Sequence, residues 1–122
     1  MKLREYQSIF ARNVARLILW CEKEKYEVTF GEVQRDPAWQ AQLCAAGKSK
    51  VKLGYHNSRL AVDLNLFRDG TFATHTSEYE PLGIFWESLD PLNVWGGRWE
   101  NFPDANHFEM RAPGVTIERW VA

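Results

Sequence analysis

The segment from residue 60 to residue 67 alternates apolar and polar side chains, and this alternation constrains the fold most. In a β-strand successive side chains point to opposite faces of the sheet. One face therefore carries Leu60, Val62, Leu64 and Leu66, and the other carries Ala61, Asp63, Asn65 and Phe67. The Asp69-Gly70 dipeptide that follows favours a hairpin turn, with a short returning strand at residues 71–74. A sheet with one strongly apolar face must pack against another layer of secondary structure.

Three segments have the pattern of helices that could cover this face. Residues 4–25 repeat apolar side chains at three- and four-residue steps, with basic residues opposite. Residues 37–46 follow Asp36, a favourable N-cap, and begin with Pro37. Residues 80–89 form the third helix, with Pro81 near its start. Helices beside a small antiparallel sheet define an α+β fold, which we expect to be one domain over residues 1–122.

Further strands complete the predicted sheet. Residues 26–33 alternate in the same way, and residues 107–110 form a last strand with Phe108 and Met110 directed inward. The C-terminal segment adds an edge strand at residues 115–120, whereas residues 48–52 form a basic, flexible loop. Gly96-Gly97 interrupts the chain after Trp95.

Composition excludes several classes of function. The net charge is −1, so no overall field attracts nucleic acid or anionic lipid. The N-terminus lacks the apolar core of a signal peptide, and no segment has about 18 uninterrupted apolar residues. We therefore expect synthesis in the cytoplasm, no membrane span and no nucleic-acid partner. Because the sequence has no apolar heptads, we also expect a monomer. Cys21 and Cys44 lie on predicted helices among apolar neighbours and are expected to be reduced core residues.

Four residues could build a metal site, and a fifth could support it. Two imidazoles and one carboxylate, from His56, His107 and Asp63, would leave one position of a tetrahedral Zn²⁺ open, as in catalytic sites. Asp104, three residues before His107, could be the base that acts on a bound water. Arg35, between a predicted strand and a helix cap, could polarise a scissile carbonyl or hold a carboxylate.

Each residue also has an ordinary structural interpretation. Asp63 could simply face solvent, as Asn65 on the same face suggests. Its odd spacing from His56 requires His56 to lie on the preceding loop, where a histidine is usually a surface residue. Asp104 and His107 could be a capping carboxylate and a buried histidine, and Arg35 could be exposed. His75 lies in a polar loop and is interpreted as a surface residue.

Taken together, these segments resemble a zinc peptidase family that includes D-alanyl-D-alanine carboxypeptidases, vancomycin-resistance dipeptidases and phage L-alanyl-D-glutamate endolysins. The first family motif is Ser-x-His-x-x-Gly-x-Ala-x-Asp. Residues 54–63 place His56, Ala61 and Asp63 in register with it, while Gly54 replaces Ser and Arg59 replaces Gly. The second motif, an acidic residue, two spacers and His, is matched by residues 104–107.

Other segments resemble the compact phage members of the family. These are residues 63–70, 81–87 and 95–99, and residues 31–35 with Gln40 resemble the upstream segment that carries the family's Arg. The likeness covers roughly residues 26–111.

The resemblance implies a fold of the Hedgehog and D-Ala-D-Ala-peptidase type with Zn²⁺ held by His56, Asp63 and His107. It also implies that Asp104 is the general base and that Arg35 stabilises the tetrahedral intermediate. The expected function is that of a phage endolysin, which reaches the cell wall after release through the membrane and hydrolyses the peptidoglycan stem peptide, with L-Ala-D-Glu favoured. The alternatives are a D-Ala-D-Ala carboxypeptidase or dipeptidase, and a non-catalytic domain that binds wall fragments or a protein.

Overall fold

A computed structural model describes residues 1–32, 51–53, 58–114 and 118–119 of the chain. Within these described residues, two helices, α1 and α2, lie among seven short strands, β1 to β7. In chain order the elements are α1 (Leu3–Lys23), β1 (Glu27–Phe30), β2 (Val51–Leu53), β3 (Ala61–Arg68), β4 (Thr71–Phe72), α2 (Thr76–Leu89), β5 (Asn93–Trp95), a 3-10 turn (Gly96–Arg98), β6 (His107–Met110) and β7 (Glu118–Arg119).

The main sheet is antiparallel and has the order β1-β3-β6-β5, with β4 paired to β3. The predicted turn joins β3 to β4 through Asp69 and Gly70, whose φ angles of 51° and 78° suit a tight hairpin. Strands β2 and β7 pair with each other in a separate two-stranded sheet. These features confirm the predicted α+β architecture.

The core lies between the two helices and the apolar face of the sheet. The leucine and valine residues of the predicted inner face, which comprise Leu60 just before β3 and three residues within it, are each at most 1% exposed, whereas Asp63 and Asn65 opposite are half-buried. Trp86 of α2 is fully buried and contacts both Phe10 of α1 and Phe108 of β6 edge-on. Its indole N–H donates to the Glu109 carbonyl at 3.1 Å, so α2 is tied directly to β6.

Cys21 is also in this core as a free thiol, as predicted, and burial raises the pKa of the thiol to about 12. Cys44 lies outside the described residues. No described helix is both long and apolar enough to cross a membrane.

Several predicted boundaries were wrong. Helix α2 begins at Thr76 rather than at residue 80, because Glu78 accepts a hydrogen bond from the His75 backbone N–H at 3.3 Å and closes a first turn there. Pro81 consequently lies inside the helix, where its missing N–H leaves the Ser77 carbonyl without the usual bond.

The sheet also differs from the predictions. Val51 and Lys52 belong to β2 rather than to a loop, the first strand ends at Phe30, and β5 was not predicted. Strand β7 pairs with β2 and not with the edge of the main sheet. The predicted helix at residues 37–46 lies outside the described residues.

Candidate metal centre

The centre of the site is a pair of side chains on neighbouring strands. Antiparallel pairing places Asp63 of β3 directly opposite His107 of β6, so both side chains leave the same face of the sheet. The His107 Nδ1 atom lies 3.3 Å from the Asp63 Oδ1 atom. The pairing register therefore makes a local contact from two residues that are 44 positions apart in the chain.

The backbone of Asp63 is fixed from its other side by the chain that follows β1. The Asp63 N–H donates to the Glu32 carbonyl at 2.7 Å, and the Asp63 carbonyl accepts from the Gly31 N–H at 2.7 Å. A side chain at Gly31 would bring its Cβ to 3.0 Å from the Asp63 Cβ. Glycine at this position thus leaves room for the Asp63 side chain.

Asp104 reaches the same face from the turn before β6. Its backbone N–H donates to the Gly96 carbonyl at 2.9 Å, and its carbonyl accepts from the His107 N–H at 3.1 Å. These bonds bring the Asp104 Oδ2 atom to 3.9 Å from His107 Nδ1, with 39% of the Asp104 side chain exposed. Of the two carboxylates, Asp104 is therefore the one that solvent and ligands reach more easily, since only 16% of the Asp63 side chain is exposed.

Three possible metal ligands are thus gathered in one place. Single donor atoms of Asp63, Asp104 and His107 all lie within 4.8 Å of one another. Two ligands of a tetrahedral zinc ion with bonds of about 2.0–2.1 Å are about 3.3 Å apart. The separation of 3.3 Å between Asp63 Oδ1 and His107 Nδ1 has this length, so the spacing of the pair is compatible with a shared zinc ion as well as with a direct hydrogen bond. The Asp104 Oδ2 atom, at 3.9 Å from His107 Nδ1, is placed to contact a molecule bound beside such an ion.

The imidazole of His107 is buried between carboxylates on both sides. Its Nε2 atom lies 2.7 Å from the Glu109 Oε1 atom, opposite the Nδ1 contact with Asp63. Burial by itself lowers the pKa of His107, but the hydrogen bonds and charges of Asp63 and Glu109 outweigh it and raise the pKa to about 9. In the metal-free protein His107 is therefore a cation at neutral pH, and a metal must displace its Nδ1 proton.

Trp99 forms one wall beside this centre. Its ring centroid lies 5.2 Å from that of His107, at an angle of 47° between the ring planes. On the neighbouring position of the same face, the Asn106 side chain donates to Asn65 Oδ1 at 3.0 Å and links the turn to β3. A substrate at the metal centre would therefore meet an aromatic side as well as the carboxylates.

The structure brings together three of the five predicted site residues, namely Asp63, Asp104 and His107. His56 and Arg35 lie outside the described residues, as does Gly54. His75 is exposed and precedes α2, as predicted for a surface residue. Glu109 and Trp99 were not predicted as site residues from the sequence. The alternation of β6 could have indicated Glu109, because a residue two positions after His107 shares its face.

The fold and the site together define the class of this protein. It is an α+β domain in which a carboxylate and an imidazole are paired across the sheet. The family model described as D-alanyl-D-alanine carboxypeptidase matches residues 47–110, which is more than half of the chain. The chain therefore belongs to this family of peptidases, as the resemblance implied.

Among solved structures, the chain is similar to the crystal structure of the Serratia marcescens L-Ala D-Glu endopeptidase ChiX. The two share 20% sequence identity over 90% of this chain and 86% of that one, with a TM-score of 0.69. At this identity the likeness supports the fold. No curated protein matches the chain well enough to count as a relative.

Proposed function

We propose that this chain is a zinc-dependent peptidase that hydrolyses peptide bonds in the stem peptides of bacterial peptidoglycan. The observation that carries the proposal is the Asp63–His107 pair, which has the spacing of two zinc ligands and lies beside the accessible Asp104 in a member of a peptidase family. His56 is proposed as the third ligand from its register in the family motif.

The residues have separate roles in this proposal. Asp63 and His107 hold the ion, and Asp104 accepts a proton from the attacking water and passes it to the leaving amine. Arg35 is proposed to stabilise the negative charge that develops on the scissile carbonyl oxygen. When bound, zinc lowers the pKa of a water molecule toward about 7 and polarises the carbonyl group.

Within this function, the L-Ala-D-Glu bond inside the stem is the favoured target. The similar Serratia marcescens structure is named as an L-Ala D-Glu endopeptidase, and residues 63–70, 81–87 and 95–99 resemble phage endopeptidases. The D-Ala-D-Ala bond at the end of the stem is the alternative, since the matching family model is described as D-alanyl-D-alanine carboxypeptidase. An endolysin that acts after release through the membrane is the proposed biological setting.

Digestion of purified peptidoglycan sacculi tests both the activity and the bond. Zinc-loaded protein is incubated with sacculi, and the products are identified by amino-terminal labelling and mass spectrometry. New D-Glu amino termini would support the L-Ala-D-Glu endopeptidase, whereas free D-Ala would support the carboxypeptidase. Binding to sacculi with neither product would instead favour the non-catalytic wall-binding alternative.

The Asp104→Asn variant tests the base in the same assay. Removal of a general base slows hydrolysis by roughly 10²- to 10⁴-fold, and zinc affinity should stay close to that of the wild type. Glu80→Gln, at an exposed position of α2, is a matched control that loses one carboxylate away from the site. If Asp104→Asn cuts as fast as Glu80→Gln, Asp104 is not the base.

A further inference from the structure

Glu109 is a buried carboxylate with a defined partner for each oxygen. It lies on β6, two residues after His107, and only 5% of its side chain is exposed. The Oε1 atom is 2.7 Å from His107 Nε2, and the Oε2 atom accepts from Arg111 Nε at 2.7 Å. A carboxylate is costly to bury unless it is paired in this way, so its position requires an explanation.

The alternation of β6 produces this row of side chains. His107, Glu109 and the following Arg111 are spaced by two residues, so they lie in line along one face of the strand. Phe108 and Met110 point to the other side and are fully buried in the core. The row therefore runs from the metal centre to the half-exposed Arg111, whose side chain is 41% exposed.

We infer that Glu109 is a positioning residue that keeps the proton of His107 on Nε2, so that the lone pair of Nδ1 is the one donated to the metal. This inference rests on the proposed zinc site. A carboxylate can only accept a hydrogen bond, so the Nε2 atom beside it must carry the proton. A neutral imidazole has one proton, and its lone pair then lies on Nδ1, which faces Asp63 and Asp104.

Arg111 determines which atom of residue 109 must face it. Because the guanidinium can only donate hydrogen bonds, the side-chain atom of residue 109 that contacts Arg111 must be an acceptor, as Oε2 is in the wild type. This requirement gives a sharp test through Glu109→Gln, which keeps the size and shape of the side chain. In that variant the amide oxygen faces Arg111 and the amide N–H₂ faces His107, so Nε2 becomes the acceptor and the proton moves to Nδ1.

Glu109→Gln should therefore weaken zinc binding by more than the loss of one negative charge alone would. Zinc dissociation constants are measured by competition with a chromophoric chelator at pH 7.5. Glu109→Gln should weaken zinc binding by about 10- to 100-fold. The double variant Glu109→Gln/Arg111→Met should recover most of this loss, because its amide is free to turn its oxygen toward His107. Arg111→Met alone should bind zinc within about threefold of the wild type, and Glu80→Gln should bind it equally well.

A merely structural role for Glu109 would give a different pattern. The double variant would then bind zinc no better than Glu109→Gln, and this result overturns the inference, as does wild-type affinity in Glu109→Gln. Should Glu109→Gln fail to fold by circular dichroism, ¹⁵N NMR of the zinc-loaded wild type decides. A protonated Nε2 and a metal-bound Nδ1 in His107 support the inference, and the reverse arrangement refutes it. Wild-type protein that binds no zinc refutes the proposed zinc site, and this inference with it.

Discussion

The Gly96→Ala substitution tests how strictly the backbone positions Asp104. An added Cβ at residue 96 would lie 2.4 Å from the Asp104 carbonyl oxygen and 3.0 Å from the His107 Cβ. To restore a contact of 3.0 to 3.4 Å, the Asp104 backbone must move by roughly 0.6 to 1.0 Å. The same carbonyl accepts the His107 N–H, so the proposed base and a proposed ligand move together.

This displacement sets the size of the expected effect. Misplacement of a reacting group by about 1 Å costs on the order of 10²-fold in rate. We therefore expect Gly96→Ala to lower kcat/KM on peptidoglycan fragments by about 10²-fold at saturating zinc. The assay is paired with thermal unfolding, so that loss of activity can be separated from loss of fold.

Gly70→Ala is the matched control. Gly70 has a φ angle of 78°, and beyond its chain neighbours no atom lies within 4 Å of the added Cβ, so the substitution strains the β3–β4 turn without touching the site. It should cost roughly 1 kcal/mol of stability and leave kcat/KM unchanged. A folded Gly96→Ala variant with kcat/KM within twofold of the wild type would refute the proposed constraint on Asp104.

Two further predictions concern stability. The raised pKa of His107 stabilises the metal-free fold fully below pH 6.5, and this stability is lost as the pH rises through about 9. In urea unfolding of the metal-free protein, the free energy of unfolding should therefore decrease by on the order of 3 kcal/mol across that interval. The stabilisation by added zinc should increase with pH, because fewer protons compete with the ion for His107. A free energy of unfolding that does not change with pH would contradict this assignment. In Tyr79→Phe, the buried Leu66 N–H loses the hydroxyl that accepts its hydrogen bond at 3.0 Å. In urea unfolding, the free energy of unfolding of the variant should be about 1–3 kcal/mol lower than that of the wild type. A difference below about 0.5 kcal/mol would mean that this N–H finds another partner.

The sequence predicted those parts of the fold that depend on local periodicity. The alternation in β3 placed Asp63 on the face opposite the leucines, and the structure has this arrangement because the leucines pack against the helices. Helix α1 follows its apolar repeat to within two residues at its C-terminal end. Strand β5 was missed because three residues are too few for alternation to be seen, and its pairing with β6 comes from tertiary packing.

Three of the five predicted site residues lie together in the structure, whereas the contacts that surround them were not predicted. Asp63, Asp104 and His107 were identified from their residue types and spacing, and β3–β6 pairing brings them together. Glu109 was overlooked because a charged residue in a strand usually faces solvent. Its burial depends on partners at both ends, His107 and Arg111, which periodicity alone does not reveal.

The location of the metal tests the central claim most directly. Crystals of zinc-loaded protein are measured on both sides of the zinc absorption edge, and the anomalous difference map locates the ion. The account predicts one zinc ion at about 2.0–2.2 Å from an Asp63 carboxylate oxygen and from Nδ1 of His107, with Asp104 beside it. A zinc ion elsewhere, or one bound by His107 through Nε2, would contradict the account.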